Sequence, residues 1–146
     1  LKNRPAEKEL PLIASSTELV SRVCDTSDSR LTILAQKFWP GPLTIVLPAK
    51  DHSTSYAIRV SSNVSARLIS EILGDPVIST SANITGAEPV RKPDDLSEEL
   101  SAGIDVVLNA GICPGGLPST IISLMNSEPR ILREGAIPSK ELLSML

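Results

Sequence analysis

The apolar pair Val77-Ile78 runs into Ser79-Thr80-Ser81-Ala82-Asn83. Hydroxyls and an amide at the carboxyl end of a buried strand can donate to phosphate or carboxylate, and ligands of open α/β sheets bind outside such strand ends. A Ser/Thr-rich turn or helix cap is the other reading of the same residues. Lys2-Asn3-Arg4, with Lys8 close behind, gathers three positive charges suited to polyphosphate or carboxylate, or to a solvated terminus. Gly111-Ile112-Cys113-Pro114-Gly115-Gly116-Leu117-Pro118-Ser119-Thr120 offers close backbone approach to a ligand. It matches no GxxxxGK[ST] loop, and a flexible connection explains it equally. Arg59 lies inside an apolar strand pattern and Arg133 at the end of another. Each needs an acidic partner or an anionic ligand, because an unpaired buried charge is costly. The single histidine, His52, falls in a polar loop, which leaves little acid–base apparatus. Chemistry by positioning and electrostatics, such as phosphoryl or nucleotidyl transfer, fits that inventory.

The elements that must position these residues follow from the hydrophobic pattern. Ser16-Thr17-Glu18 opens a short helix with Leu19, Val20 and Val23 on one face. Leu31, Leu34, Ala35 and Phe38 form an amphipathic helix stopped by Pro40-Gly41-Pro42. Leu43 to Leu47 reads as a strand closed by Pro48, and Tyr56 to Val60 alternates as another. Asn63 caps a helix carrying Val64, Leu68, Ile69, Ile72 and Leu73, ended at Gly74-Asp75-Pro76. A short strand at Val77-Ile78 is followed by a helix opening at Asp94-Asp95 and running through Leu96 and Leu100 to Gly103. Ile104 to Leu108, Thr120 to Leu124 and Arg130 to Leu132 are expected strands, and Ser139 is expected to cap a last helix with Leu142, Leu143 and Leu146. Interspersed strands and helices predict an α/β (α+β) domain, a twisted mixed sheet with helices packed on it.

Composition narrows the function classes. With 146 residues the chain has room for one domain, and apolar residues at 41% exclude wholesale disorder. Aromatics are only 2%, against 42 Leu, Ile and Val residues, so the core must be aliphatic. No apolar run is long enough to cross a bilayer. Fourteen basic against 17 acidic side chains give a net charge of −3, which disfavours nucleic acid as the main partner. Cys24 and Cys113 are far apart and lack the spacing of a structural zinc site, so no metal site is expected. Two unpaired cysteines, read as small buried apolar residues, fit a reducing cytoplasm.

Together the segments resemble the YrdC-like family, the threonylcarbamoyl-AMP synthases. The matching runs are Lys2-Asn3-Arg4-Pro5 with Leu10-Pro11-Leu12-Ile13, Phe38-Trp39-Pro40-Gly41-Pro42-Leu43-Thr44, Ala57-Ile58-Arg59-Val60, Thr80-Ser81-Ala82-Asn83 with Gly86, Gly115-Gly116-Leu117-Pro118-Ser119-Thr120-Ile121, and Ile131-Leu132-Arg133-Glu134-Gly135. They span residues 1–146 as a single domain, with roughly the first fifty residues of the family pattern not represented. Ser15 stands where some members carry His, and Ser123 where Asp is common.

The resemblance implies a reaction of L-threonine, bicarbonate or CO2 and ATP, giving L-threonylcarbamoyl-AMP and pyrophosphate. A separate complex then transfers the threonylcarbamoyl group to tRNA. By similarity Lys2 and Arg4 are catalytic and hold ATP phosphates, while Ser55, Ser81, Asn83 and Arg133 contact the nucleotide. Arg59 pairs with the threonine carboxylate, and Ser79 and Ser119 contact the amino acid or its carbamate. Mg2+ would accompany the triphosphate and offset charge on the departing pyrophosphate. The alternative is a double-stranded RNA- or tRNA-binding module of the same fold, with the cationic patch of Lys2, Arg4, Arg59 and Arg133 as its contact. A carbamoyl-transferring relative is a third reading.

Overall fold

A computed structural model describes residues 11–84 and 86–146. The described chain forms two compact units, one from residues 11–79 and 117–146, the other from residues 80–116. The first contains a six-stranded sheet of order β4-β1-β3-β2-β5-β6. Its strands are β1 (Leu12–Ala14), β2 (Leu43–Pro48), β3 (Ser55–Val60), β4 (Val77–Ile78), β5 (Thr120–Ser123) and β6 (Arg130–Arg133). The β1–β3 and β2–β5 pairs are parallel, and the β1–β4, β2–β3 and β5–β6 pairs are antiparallel. The sheet is therefore mixed, as the interspersed pattern predicts.

Register arranges the sheet in rows. One row reads Ile78, Leu12, Ile58, Ile45, Ile122, Ile131 across all six strands. Ile58, Ile45 and Ile122 are fully buried in the core with Leu43, Leu47, Val60 and Ala14. Side chains alternate along a strand, so residues one step away face the other side. Val77, Ile13 and Arg59 form such a neighbouring row on β4, β1 and β3, and Thr44, Ile121 and Arg133 form one on β2, β5 and β6.

The core face is covered by α1 (Thr17–Val23), α2 (Ser29–Phe38) and α5 (Ser139–Leu143), which contribute Leu19, Val20, Leu31, Leu34, Ala35 and Leu142. Ser16 caps α1 by accepting from the Leu19 N–H. Asp28 caps α2 and also takes three hydrogen bonds from the Arg30 guanidinium, at 2.6 to 3.0 Å. Arg30 in turn donates to the Ser127 and Asn126 carbonyls, tying the start of α2 to the β5–β6 connection. The helix α3 (Val64–Leu73) is capped by Asn63 and closed by Gly74 in the left-handed region, as its sequence predicts. Its only buried residue is Ser70, whose hydroxyl accepts from Ser15 N–H and donates to the Asp75 carbonyl.

Three expectations are corrected. Ile104 to Leu108 forms no strand, and Val106, Val107 and Leu108 are exposed. A strand exists only where an edge supplies hydrogen-bond partners, which an apolar run cannot specify by itself. The helix expected from Asp94 to Gly103 is broken into a 3-10 turn, Pro93–Asp95, and α4 (Glu98–Ser101). Leu96 leaves helical backbone between them, and Ser97 caps the second piece by accepting from Leu100 N–H. Ser139 is the first residue of α5 rather than its cap, and its hydroxyl donates to Glu134 instead. Both cysteines are free; Cys24 is buried as expected, with its thiol pushed up to about 11 by burial, whereas Cys113 is exposed. Among the described residues no helix is long and apolar enough to cross a membrane.

The hydrogen bonds from Arg30, first its side chain and then its backbone N–H, hold the Asp28 carboxyl below the usual range. A carboxyl depressed in the folded state adds stability above its unfolded pKa and loses it as pH falls through the folded value. Asp28→Ala should cost about 1–2 kcal/mol near neutral pH. In urea titrations the gap from wild type should narrow below about pH 4, and a gap independent of pH would refute the assignment.

Candidate functional site

The turn after β6 is pinned to the start of β5 by one buried hydroxyl. Thr120 Oγ1 donates to the Ile137 carbonyl at 2.7 Å and accepts from the Gly135 and Ile137 N–H groups, both at 3.0 Å. Gly135 lies so close to this junction that a Cβ would overlap the Pro118 carbonyl oxygen and the Ser119–Thr120 peptide. The close approach, and not the glycine's conformational freedom, is what that position requires. Its result is to set Arg133, two residues before Gly135, against Ser119, the residue before Thr120.

Arg133 grips Ser119 on two atoms. Nε and one terminal nitrogen donate to the Ser119 carbonyl at 3.0 and 2.8 Å, and the same terminal nitrogen donates to Ser119 Oγ at 2.9 Å. On its other side Ser119 Oγ lies 2.8 Å from Thr44 Oγ1, a hydroxyl on a side chain only 2% exposed. Half-buried Arg59 is nearby: burial lowers its pKa first, and the positive charge of Arg133 lowers it further. Among the described residues no carboxylate forms an ion pair with either arginine. Arg59 on β3 and the bonded group of Arg133, Ser119 and Thr44 lie on the same side of the sheet.

Of the expected site residues, Arg133 is bonded to Ser119, and Arg59 stands on the same side of the sheet. Ser55 opens β3, four residues before Arg59 and on the same side by strand alternation. Ser79 follows β4 and donates its N–H to the Pro11 carbonyl at 2.8 Å. Its strand lies two places from Arg59's, as does the strand entered after Ser119 on the opposite side. Thr44 was not among the expected site residues. Its signal was a polar side chain in the middle of an apolar strand. Ser15 lines a cleft of about 630 Å³ with Trp39, Gln36 and Val60.

The second unit holds the other hydroxyl motif. Ser81 Oγ donates to Asn83 Oδ1 at 2.6 Å, and Asn83 Nδ2 donates to the Ala87 carbonyl at 2.7 Å. A Val90 N–H to Ala82 carbonyl bond closes this loop. The glycine-rich segment is held by Arg91, whose guanidinium donates to the Cys113 and Pro114 carbonyls at 3.1 and 2.7 Å. The expected phosphate-holding residues Lys2 and Arg4 lie outside the described residues. Among the described residues no group of His, Cys, Asp and Glu could ligate a metal ion.

The fold is a mixed α/β sheet that carries arginine and hydroxyl side chains on the side opposite its aliphatic core. The Sua5/YciO/YrdC family model, described as telomere recombination, matches residues 1–135. The chain belongs to that family. It is 35% identical to the threonylcarbamoyl-AMP synthase of Idiomarina loihiensis over 140 residues, covering 88% of this chain and 74% of the relative. It is also 35% identical to the same-named protein of Serratia proteamaculans, covering 92% of this chain and 75% of the relative. A crystal structure of Pyrococcus abyssi Sua5 complexed with L-threonine superposes with a TM-score of 0.87 at 28% identity, covering 98% of this chain. The chain spans only 44% of that archaeal protein.

Among the described residues Arg59 has no carboxylate partner, so no ion pair offsets the desolvation of its half-buried guanidinium. Arg59→Met, which keeps the length and discards the charge, should leave unfolding free energy unchanged or raise it by up to about 2 kcal/mol. A loss of more than about 1 kcal/mol in denaturant titration would show that Arg59 serves the fold instead.

Proposed function

We propose that this chain makes L-threonylcarbamoyl-AMP and pyrophosphate from L-threonine, bicarbonate or CO2 and ATP, with residues 1–146 acting as one functional domain. The observation that carries the reading is the Arg133–Ser119–Thr44 hydrogen-bonded group on the same side of the sheet as half-buried Arg59. Such a group asks for an anion, and each reactant here is anionic or becomes so. The synthase names of the relatives support this reading over an RNA-binding module of the same fold.

In the proposed reaction the threonine amine adds to CO2, forming an N–C bond and releasing a proton. A carbamate oxygen then attacks the α-phosphorus of ATP, an O–P bond forms, and the α–β bridging bond breaks to release pyrophosphate. Arg59 pairs with the threonine carboxylate. Ser119 on one side and Ser79 on the other contact the amino acid or its carbamate. Ser55, Ser81, Asn83 and Arg133 contact the nucleotide, so the Ser81–Asn83 hydrogen bond exchanges for contacts to ATP. Lys2 and Arg4 hold the triphosphate, and Mg2+ arrives with it as part of the substrate. The product passes to a tRNA threonylcarbamoyl-transfer complex in the cytoplasm, with at most weak contact between this chain and RNA.

The test is pyrophosphate release measured with ATP and bicarbonate present, with and without L-threonine. Release should require threonine. Arg59→Met should raise KM for threonine roughly 10- to 100-fold, the effect of losing a hydrogen bond to a charged group, and should raise KM for ATP by less. Release that ignores threonine, or a variant impaired toward ATP alone, would refute the proposal.

A further inference from the structure

We infer that Thr44 is a positioning residue that turns the Ser119 hydroxyl into an obligate donor, aimed at an anionic oxygen of the substrate. The argument is a count of protons and lone pairs. Ser119 Oγ carries one proton and two lone pairs. Arg133 occupies one lone pair, since a guanidinium can only donate. Among the described residues Ser119 Oγ is the only hydrogen-bond partner of the Thr44 hydroxyl. That hydroxyl is buried, and a buried donor left unused is expensive. Thr44 therefore donates, and its proton fills the second lone pair of Ser119. With both lone pairs taken, the Ser119 proton has no internal acceptor and must point outward. The hydroxyl can then serve a carboxylate, carbamate or phosphate oxygen but cannot accept from an ammonium group.

The fold keeps this arrangement in place. Thr44 is paired with Ile121 in the parallel β2–β5 ladder, and Ile121 with Arg133 across β5–β6. The Thr120 hydroxyl locks the adjoining turn. The direction of the Ser119 proton is thus set before any ligand arrives, which is what preorganised electrostatic recognition requires.

The inference rests on the synthase reading for the identity of the anion, which is the threonine carboxylate or its carbamate. Thr44→Val removes the hydroxyl and keeps the shape and β-branching, while Thr44→Ser keeps the hydroxyl. Thr44→Val should lower kcat/KM for threonine-dependent pyrophosphate release about 5- to 20-fold with Tm unchanged within about 2 °C. Thr44→Ser should recover activity to within about threefold. In the Ser119→Ala background, Thr44→Val should have no further effect, because the residue acts through Ser119. A loss confined to KM for threonine assigns the donor to the carboxylate, and one confined to KM for bicarbonate assigns it to the carbamate.

Sulfate, which can only accept hydrogen bonds near neutral pH, gives a readout independent of the reaction. Its affinity, measured by calorimetric titration of the protein, should fall about fivefold in Thr44→Val and in Ser119→Ala, and no further in the double variant. If that pattern appears without threonine-dependent pyrophosphate release, the donor device stands and the synthase reading fails. Thr44→Val that matches wild type toward sulfate, or losses that multiply in the double variant, would overturn the inference.

Discussion

The hydrogen bonds that tie Arg133 to Ser119, and Ser119 to Thr44, form the constraint around which the candidate site is arranged. Arg59 is fixed by its place in β3, flanked by β1 and β2. Arg133 is fixed by its grip on Ser119 and by the turn that Thr120 pins. Arg59 faces the same side as that group, and the aliphatic core packs on the opposite side of the same strands. Among the described residues no carboxylate pairs with either arginine.

That coupling of core and site comes from the two-residue period of a strand. In β2, Leu43, Ile45 and Leu47 join the core, while Thr44 belongs to the row of Ile121 and Arg133. In β3, Ile58 and Val60 join the core and Arg59 turns away between them. A slip of one residue in β3 would turn Arg59 toward the core and Ile58 away from it, and a slip in β2 would do the same with Thr44 and Ile45. The aliphatic row across all six strands therefore does more than stabilise. It fixes which side each functional residue faces.

Much of this could be read before the structure. The helices α1, α2 and α3 carry their own caps and apolar spacing, and β2, β3, β5 and β6 are apolar runs bounded by Pro or by polar loops, so local chemistry specifies them. Ile104 to Leu108 has the same apolar content but no local feature that supplies a partner edge, and pairing is a long-range property. Ser139 showed the same limit, since its hydroxyl prefers Glu134 over a cap. At the site, Arg59 and Arg133 were recognisable because a charge in a strand demands an explanation. Their proximity was not, for it depends on the sheet order and on the Gly135 approach to Pro118. Thr44 was hidden by its β-branched side chain, which suits an apolar strand as well as valine does.

The composition of the site also selects the kind of chemistry it can support. Arg59, Arg133, Ser119 and Thr44 are guanidinium and hydroxyl side chains, types that do not act as bases near neutral pH. Such a site cannot generate a nucleophile from an alcohol or from water by general-base catalysis. It can hold a nucleophile that is already an anion and a leaving group that departs as one. A carbamate oxygen displacing pyrophosphate from the α-phosphorus meets both conditions, because negative charge only migrates along the reacting line and fixed cations and donors stabilise it throughout. Fixed positive charge and hydroxyl donors of this kind suit the stabilisation of charge that migrates between anionic groups.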